Sequence, residues 1–246
     1  MACTQIASFL PAIFPHTAGV TVRGTLPLRE CPPLPGSLYE VIIFPNVENT
    51  DKLVDALVET QLIDWNRKVC IPFAEVDALR CLNRARRRIG LKIVRQVPTI
   101  KHFLAKDSEI YDVECPPETY FGPLKHEHVD QVDVAWPHRY ETSKDFIRLL
   151  IDNDLTYGLF STKDNSLIAW LLICEVGFLT HLYCEEKHRR RGYAETVLKY
   201  ALNDQLKKGN DVFGYVLDDN LNSMKLFRKM DFEVIGRGIW TFVTKE

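Results

Sequence analysis

The chain of 246 residues is 46% hydrophobic and 26% charged, the balance of a globular protein with room for one large or two small domains. Its formal net charge of -2 exerts no general pull towards nucleic acid or anionic membranes, and no apolar run approaches the roughly eighteen residues that a spanning helix requires. The seven cysteines, at positions 3, 31, 70, 81, 115, 174 and 184, have neither C-x-x-C nor C-x-x-H spacing, so reduced thiols in an intracellular protein are expected and a metal site is not.

The first 29 residues contain two arginines and no acid. That bias faintly resembles a mitochondrial transit segment but more often marks a loosely ordered terminus, so a cytoplasmic location is expected, with mitochondria as the alternative. Prolines 32, 33 and 35 break the chain locally, and Leu38–Phe44 then reads as a buried strand. Apolar residues at 53, 54, 57, 58 and 62 predict an amphipathic helix over Asp51–Leu62, capped by Asn49 or Thr50. A strand at Val69–Phe73, a helix at Glu75–Arg88 and a strand at Leu91–Val97 complete a βαβαβ order, an α/β unit. The basic cluster Arg84, Arg86, Arg87 and Arg88 precedes Gly90 and holds no aromatic residue, so it reads as a solvated helix end rather than a nucleic-acid surface. The shift at Glu114-Cys115-Pro116-Pro117-Glu118 divides the chain into 1–114 and 115–246.

In the second part a strand is predicted around Glu118–Pro123, a helix near Glu127–Ala135, a loop at Trp136–Glu141 and a helix over Ser143–Asp152. Strands follow at Leu155–Thr162, Leu167–Glu175 and Gly177–Cys184. Ala194, Val197, Leu198, Ala201 and Leu202 recur at helical spacing. Then come a strand at Val212–Leu217, a helix at Leu221–Met230 and strands at Phe232–Gly236 and Ile239–Thr244. Between the strand ending at Cys184 and the helix lies Arg189-Arg190-Arg191-Gly192-Tyr193-Ala194. A strand that passes through a glycine turn into a helix presents several unpaired amides in one direction, backed by the positive end of the helix dipole. Gly192 lets the main chain approach a phosphate closely and the arginines add charge, so this segment reads as an anion site.

Arg189, Gly192 and Ala194 fit the pattern R/Q-x-x-G-x-G/A. Asn220, Ser223, Phe227 and Phe232 fit N-x-x-S/A-x-x-x-Y/F-x-x-x-G-F, with Asp231 in place of the glycine. In order and spacing these segments resemble the GNAT acyltransferase superfamily over roughly residues 115–246. The resemblance implies an α/β (α+β) fold with a mixed central sheet flanked by helices, and acetyl-CoA or another acyl-CoA as co-substrate. It implies that strands 177–184 and 212–217 begin paired and then splay, with the pantetheine arm pairing along Leu182, Tyr183 and Cys184. The diphosphate would rest on the amides of Arg189, Arg190, Arg191, Gly192, Tyr193 and Ala194. Ser223 and Phe227 belong to the second CoA motif, and Asn220 has two compatible roles, helix cap and pantetheine contact.

The resemblance also implies a Glu or His fourteen or twelve residues before Gly192 and a Tyr four residues after Ser223; Phe178, Thr180 and Phe227 stand there instead. The expected base and acid are therefore missing. Three consequences stay open. Positioning alone can serve, since a CoA thiolate is a tolerable leaving group. His181 and Glu175 can substitute as bases, with Tyr183 or Tyr215 as proton donor, although strand alternation points His181 away from Phe178 and Thr180. Or the site binds acyl-CoA and does no chemistry.

Leu62-Ile63-Asp64-Trp65, Trp136-Pro137-His138 and the order of elements resemble glycine N-acyltransferase-like proteins. That implies a degenerate GNAT-like N-terminal half and a small-molecule amine acceptor such as glycine. Trp136 and Arg139 are the expected acceptor-binding residues, Arg139 pairing with a carboxylate. Acetylation of a protein N-terminus or lysine is the other enzymatic reading. His126 and His128 do not share a helix face, which argues against a metal pair. No nucleic-acid or membrane partner is expected, and the oligomeric state is not legible.

Overall fold

A computed structural model of the protein describes residues 19–24, 39–44, 50–174 and 177–246. The first part contains β1 (Gly19–Gly24), β2 (Tyr39–Phe44), α1 (Thr50–Glu59), β3 (Val69–Ala74), α2 (Val76–Ile89) and β4 (Leu91–Leu104). The second contains β5 (Thr119–Gly122), α3 (Val129–Ala135), α4 (Ser143–Asp152), β6 (Thr156–Ser161), β7 (Leu167–Ile173), β8 (Phe178–Cys184), α5 (Tyr193–Lys207), β9 (Val212–Leu217), α6 (Leu221–Lys229) and β10 (Glu233–Lys245). The ten described strands form one mixed sheet in the order β1-β2-β3-β10-β4-β9-β8-β7-β6-β5.

Apolar patterning decides where each element goes. Every residue of β7, Leu-Ile-Ala-Trp-Leu-Leu-Ile, is buried, as expected of a strand covered on both faces. On α5 the buried stripe is Val197, Leu198, Ala201, Leu202, Gln205 and Leu206, and it packs beneath β6, β7 and β8. Two apolar clusters result. One spans Leu104 to Phe232; the other gathers β2, α1, β3 and α2 and takes Val243 from β10. Helix α2 stops at Gly90, whose left-handed φ of 73° lets its amide reach Arg86 O. Its arginines bind across to α1, Arg84 to Asp51 at 2.7 Å and Arg88 to Asp55 at 2.6 Å, so the basic cluster ties two helices together.

Several boundaries differ from those predicted. Where composition predicts a loosely ordered terminus, Gly19–Gly24 pairs antiparallel with β2; its β-branched Val20-Thr21-Val22 favours a strand. Strand β4 continues through Pro98 to Leu104 instead of ending at Val97. Pro98 is tolerated because pairing with β9 begins only at Thr99, so one of its edges carries no ladder. The two predicted terminal strands are one, β10, whose register slips between Val234 and Gly236. Helix α1 ends at Glu59 rather than Leu62, and the turn after it buries Ile63 and Trp65, the indole donating to Leu57 O at 3.2 Å.

Gly214 in β9 is required sterically. A Cβ there would overlap Cε1 of Phe227, which packs on it from α6. Gly214→Ala is expected to destabilise the protein by about 1–3 kcal/mol through overpacking. A chemical denaturation midpoint equal to the parent's would contradict this packing.

Candidate acyl-CoA site

Strands β8 and β9 run parallel and pair only at Phe178–Phe213 and Leu179–Gly214. Beyond that point they separate, and the edge of β8 from Thr180 to Cys184 has no strand partner on the β9 side. The cause is visible in the register with β7. Trp170 faces Tyr183 and Leu172 faces Thr180, so two residues, His181 and Leu182, stand against Leu171. This is a β-bulge, with His181 left-handed at φ 55°, and a bulge bends its strand away from a neighbour. The expected splay is present, with the main chain of Leu182, Tyr183 and Cys184 along it. Tyr183 packs its ring on Trp170 at 4.9 Å, and Cys184 is buried.

The loop between β8 and α5 has the geometry of an anion cradle. Arg190 and Gly192 are left-handed, at φ 62° and 82°, while Arg189 has φ -63°. Such alternation turns successive amides to one side. Among the described residues, none of the amides from Arg190 to Glu195 donates a hydrogen bond; the first to do so is Thr196, to Gly192 O at 2.9 Å. The three arginines divide their roles. Arg189 braces the loop: Nε donates to Cys184 O at 3.1 Å, and the guanidinium pairs with Glu186 at 3.2 Å. Arg190 and Arg191 are exposed and make no ion pair among the described residues. Tyr193 and Ala194 open the helix and pack on the main core.

Asn220 caps α6, its side chain accepting from the amide of Ser223 at 3.1 Å. Phe227 is buried. It is 6% exposed, lying against Gly214, Phe232 and His102.

The bulge also cancels simple alternation along β8. His181 Nδ1 lies 2.8 Å from the hydroxyl of Thr180, and its ring packs under Trp136 at 4.2 Å between centroids. Nε2 is buried without a hydrogen-bond partner among the described residues. Burial first, and then the charge of His138, push the imidazole down to about 3, so it is neutral near pH 7. Glu175 lies outside the described residues. Arg139 is exposed and forms no ion pair among the described residues.

Composition and motif did not reveal the surroundings of Phe178. It meets Tyr215 at 5.5 Å, Phe73 at 5.9 Å and Trp240 at 6.3 Å between ring centroids. Tyr215 is the first residue of β9 past the last pair, and its hydroxyl makes no hydrogen bond among the described residues. Burial, then the charge of Glu75, hold its phenol well above the ordinary value and hence protonated. Phe73 and Trp240 reach this point from β3 and β10. One signal for Phe73 was present: Pro72 in a central strand marks a bulge.

The overall fold has counterparts among solved proteins. A Drosophila protein solved by X-ray matches with a TM-score of 0.77 at 14% identity, over 98% of this chain and 88% of that one. A GCN5-related N-acetyltransferase from Kribbella flavida matches at 0.57 and 12% identity, over 100% of this chain and 96% of that one. Another from Sphaerobacter thermophilus matches at 0.56 and 13% identity, over 92% and 76%. The fold is the GNAT fold. Residues 156–241, from β6 into β10, match the family described as FR47-like protein. That stretch of the GNAT fold contains the splayed strands, the amide loop and the capped α6. No curated protein matches the chain in sequence.

Proposed function

We propose that the protein is an acyl-CoA-dependent N-acyltransferase that moves an acyl group from the CoA thioester to the amine of a small amino acid such as glycine. The observation that carries this reading is the conjunction of splayed β8 and β9 with the unpaired amides from Arg190 to Glu195. The pantetheine arm would add to the free edge of β8 like a strand, and the diphosphate would take the loop amides and the field of α5. The thioester then lies near the last paired residues, Leu179 and Gly214, with Tyr215 beside it.

In the reaction the neutral amine nitrogen bonds to the thioester carbon, the C–S bond breaks with its electron pair leaving on sulfur, and the proton lost by the nitrogen passes to the CoA thiolate, directly or through water. Tyr215, kept protonated, donates a hydrogen bond to the departing thiolate. A His181 imidazole held near 3 is too weak a base to strip an ammonium, but its unpaired Nε2 can accept a hydrogen bond from a neutral amine once Trp136 shifts. The acceptor must therefore arrive uncharged, and the rate should climb with pH towards the acceptor's own amine pKa. In this reading the loop residues Trp136 and Arg139 hold the acceptor, Arg139 at its carboxylate.

Calorimetric titration with CoA, followed by thiol release from acetyl-CoA in the presence of glycine, other amino acids and peptides, tests the proposal. CoA binding with amino-acid-dependent release is expected. Absence of CoA binding would sink it. Binding without release from any acceptor would favour a silent acyl-CoA binder, a reading supported by Phe178 in place of a base and by the buried phenyl ring of Phe227. Release with peptides alone would point to protein acetylation.

A further inference from the structure

Phe73, Phe178, Tyr215 and Trp240 come from four strands and meet on one face of the sheet. Phe73 stacks on Tyr215 at 5.1 Å and meets Trp240 edge-on at 5.9 Å. All four stay half-buried, unlike the fully covered cores on either side. Their meeting point adjoins the closed end of the β8–β9 cleft, since Phe178 belongs to the first β8–β9 pair and Tyr215 is the first residue of β9 beyond the second.

The placement of Phe73 is a built feature. In the pairing of β3 with β10, Ala74 faces Ile239 and Ile71 faces Thr241, so Pro72 and Phe73 both stand against Trp240. Phe73 has a φ of 40°, a strained conformation that bulky residues rarely adopt. Gly238 makes room for it: a Cβ at 238 would lie 3.0 Å from Phe73 Cα and 3.1 Å from its carbonyl oxygen. Strained bulges that re-aim a side chain concentrate at functional sites. Here the side chain is aimed from the N-terminal part to the place where the acyl group changes hands.

The same face carries an unsatisfied cation. Arg95 faces Phe242 across the β4–β10 ladder, its guanidinium 6.0 Å from that ring, and it has no ion pair among the described residues. Phe242 is two positions from Trp240 on β10, and alternate residues of a strand are about 6.8 Å apart, roughly the reach from ring to carboxylate in an aromatic amino acid. His138, whose imidazole is lowered by burial and then by the Arg95 charge, closes that end from the α3–α4 loop.

We infer that these rings are the side-chain subsite of the acceptor, selecting an amino acid with a flat apolar side chain, and that Arg95 receives its carboxylate. This rests on the acyltransferase reading above, but it replaces glycine with an aromatic amino acid as the acceptor and puts Arg95, not Arg139, at its carboxylate. The N-terminal part thereby supplies specificity to a site whose CoA contacts all lie after residue 175.

Ligand-observed NMR on CoA-saturated protein, titrated with L-phenylalanine and with L-alanine, tests it without requiring turnover. Phenylalanine is expected to bind on the order of tenfold more tightly than alanine, since each ring contact contributes severalfold. Phe73→Leu, and independently Gly238→Ala, which displaces the bulge, should each cut that ratio by about fivefold while leaving CoA affinity unchanged. Arg95→Met should weaken both amino acids alike. A parent ratio near one, a ratio that survives both Phe73→Leu and Gly238→Ala with only the melting temperature falling, or an Arg95→Met protein that binds both amino acids as the parent does would overturn the assignment. If CoA itself does not bind, the acyltransferase reading fails separately, and the ratio measured on the protein alone still decides the subsite.

Discussion

Replacing Gly192 with valine is expected to weaken CoA binding by about a hundredfold. Two terms combine. At φ 82° a β-branched residue is strained by roughly 1–2 kcal/mol, and relief of that strain turns the flanking amides away from a common focus. Each amide–phosphate bond lost costs about 1.5–3 kcal/mol because the acceptor is charged, so losing one or two reaches the stated factor. No clash opposes the change, because nothing lies within 4 Å of a Cβ built at this position, so its cost to the fold is limited to that backbone strain. Calorimetry with CoA on the parent, Gly192→Ala and Gly192→Val should therefore give a graded loss of affinity, with the melting temperature falling only by the several degrees that the backbone strain accounts for. Equal affinities across the three would remove the loop from the binding site.

The second large effect concerns acid. In the folded protein His181 is held down to about 3, whereas in the unfolded chain it titrates near 6.5. Between those values the unfolded state binds more protons. Stability contributed by keeping His181 neutral is thus fully present above about pH 6.5 and is lost progressively as pH falls towards about 3. One such proton changes the unfolding free energy by at most about 1.4 kcal/mol per pH unit. Denaturant unfolding at about pH 6.5 and about pH 5 should show the parent losing up to about 2 kcal/mol more than a His181→Asn protein does. Parallel losses would mean that His181 is freely hydrated and does not sit sealed beneath Trp136.

The parts of the site that were legible in sequence are local. A strand, a glycine turn and a helix lie within about twenty residues, and their hydrogen-bond deficit follows from helix geometry alone, so the amide cradle at Arg190–Glu195 could be read directly. The cap at Asn220 is equally local. Reading failed where tertiary pairing overrode a local rule. Alternation along β8 sent His181 to the wrong side because the rule assumes an unbroken ladder, and one extra residue against Leu171 breaks it. The predicted strand stops at Val97, whereas β4 runs on through Pro98, whose missing donor falls on an edge without a ladder partner. The ring cluster was invisible for another reason. Phe73 and Trp240 are far apart in the chain and share no motif, and only the pairing of β3 with β10 brings them together.

That pairing has a consequence for biogenesis. Strands β3 and β4 are not neighbours; the last strand, Glu233–Lys245, fills the slot between them and bonds to both. On the ribosome, β3 and β4 are made well over a hundred residues before the piece that joins them, so both wait with bare hydrogen-bonding edges. Closure of so distant a contact is slow, and the nascent chain should be most prone to aggregate, or to need a chaperone, until Glu233–Lys245 has emerged.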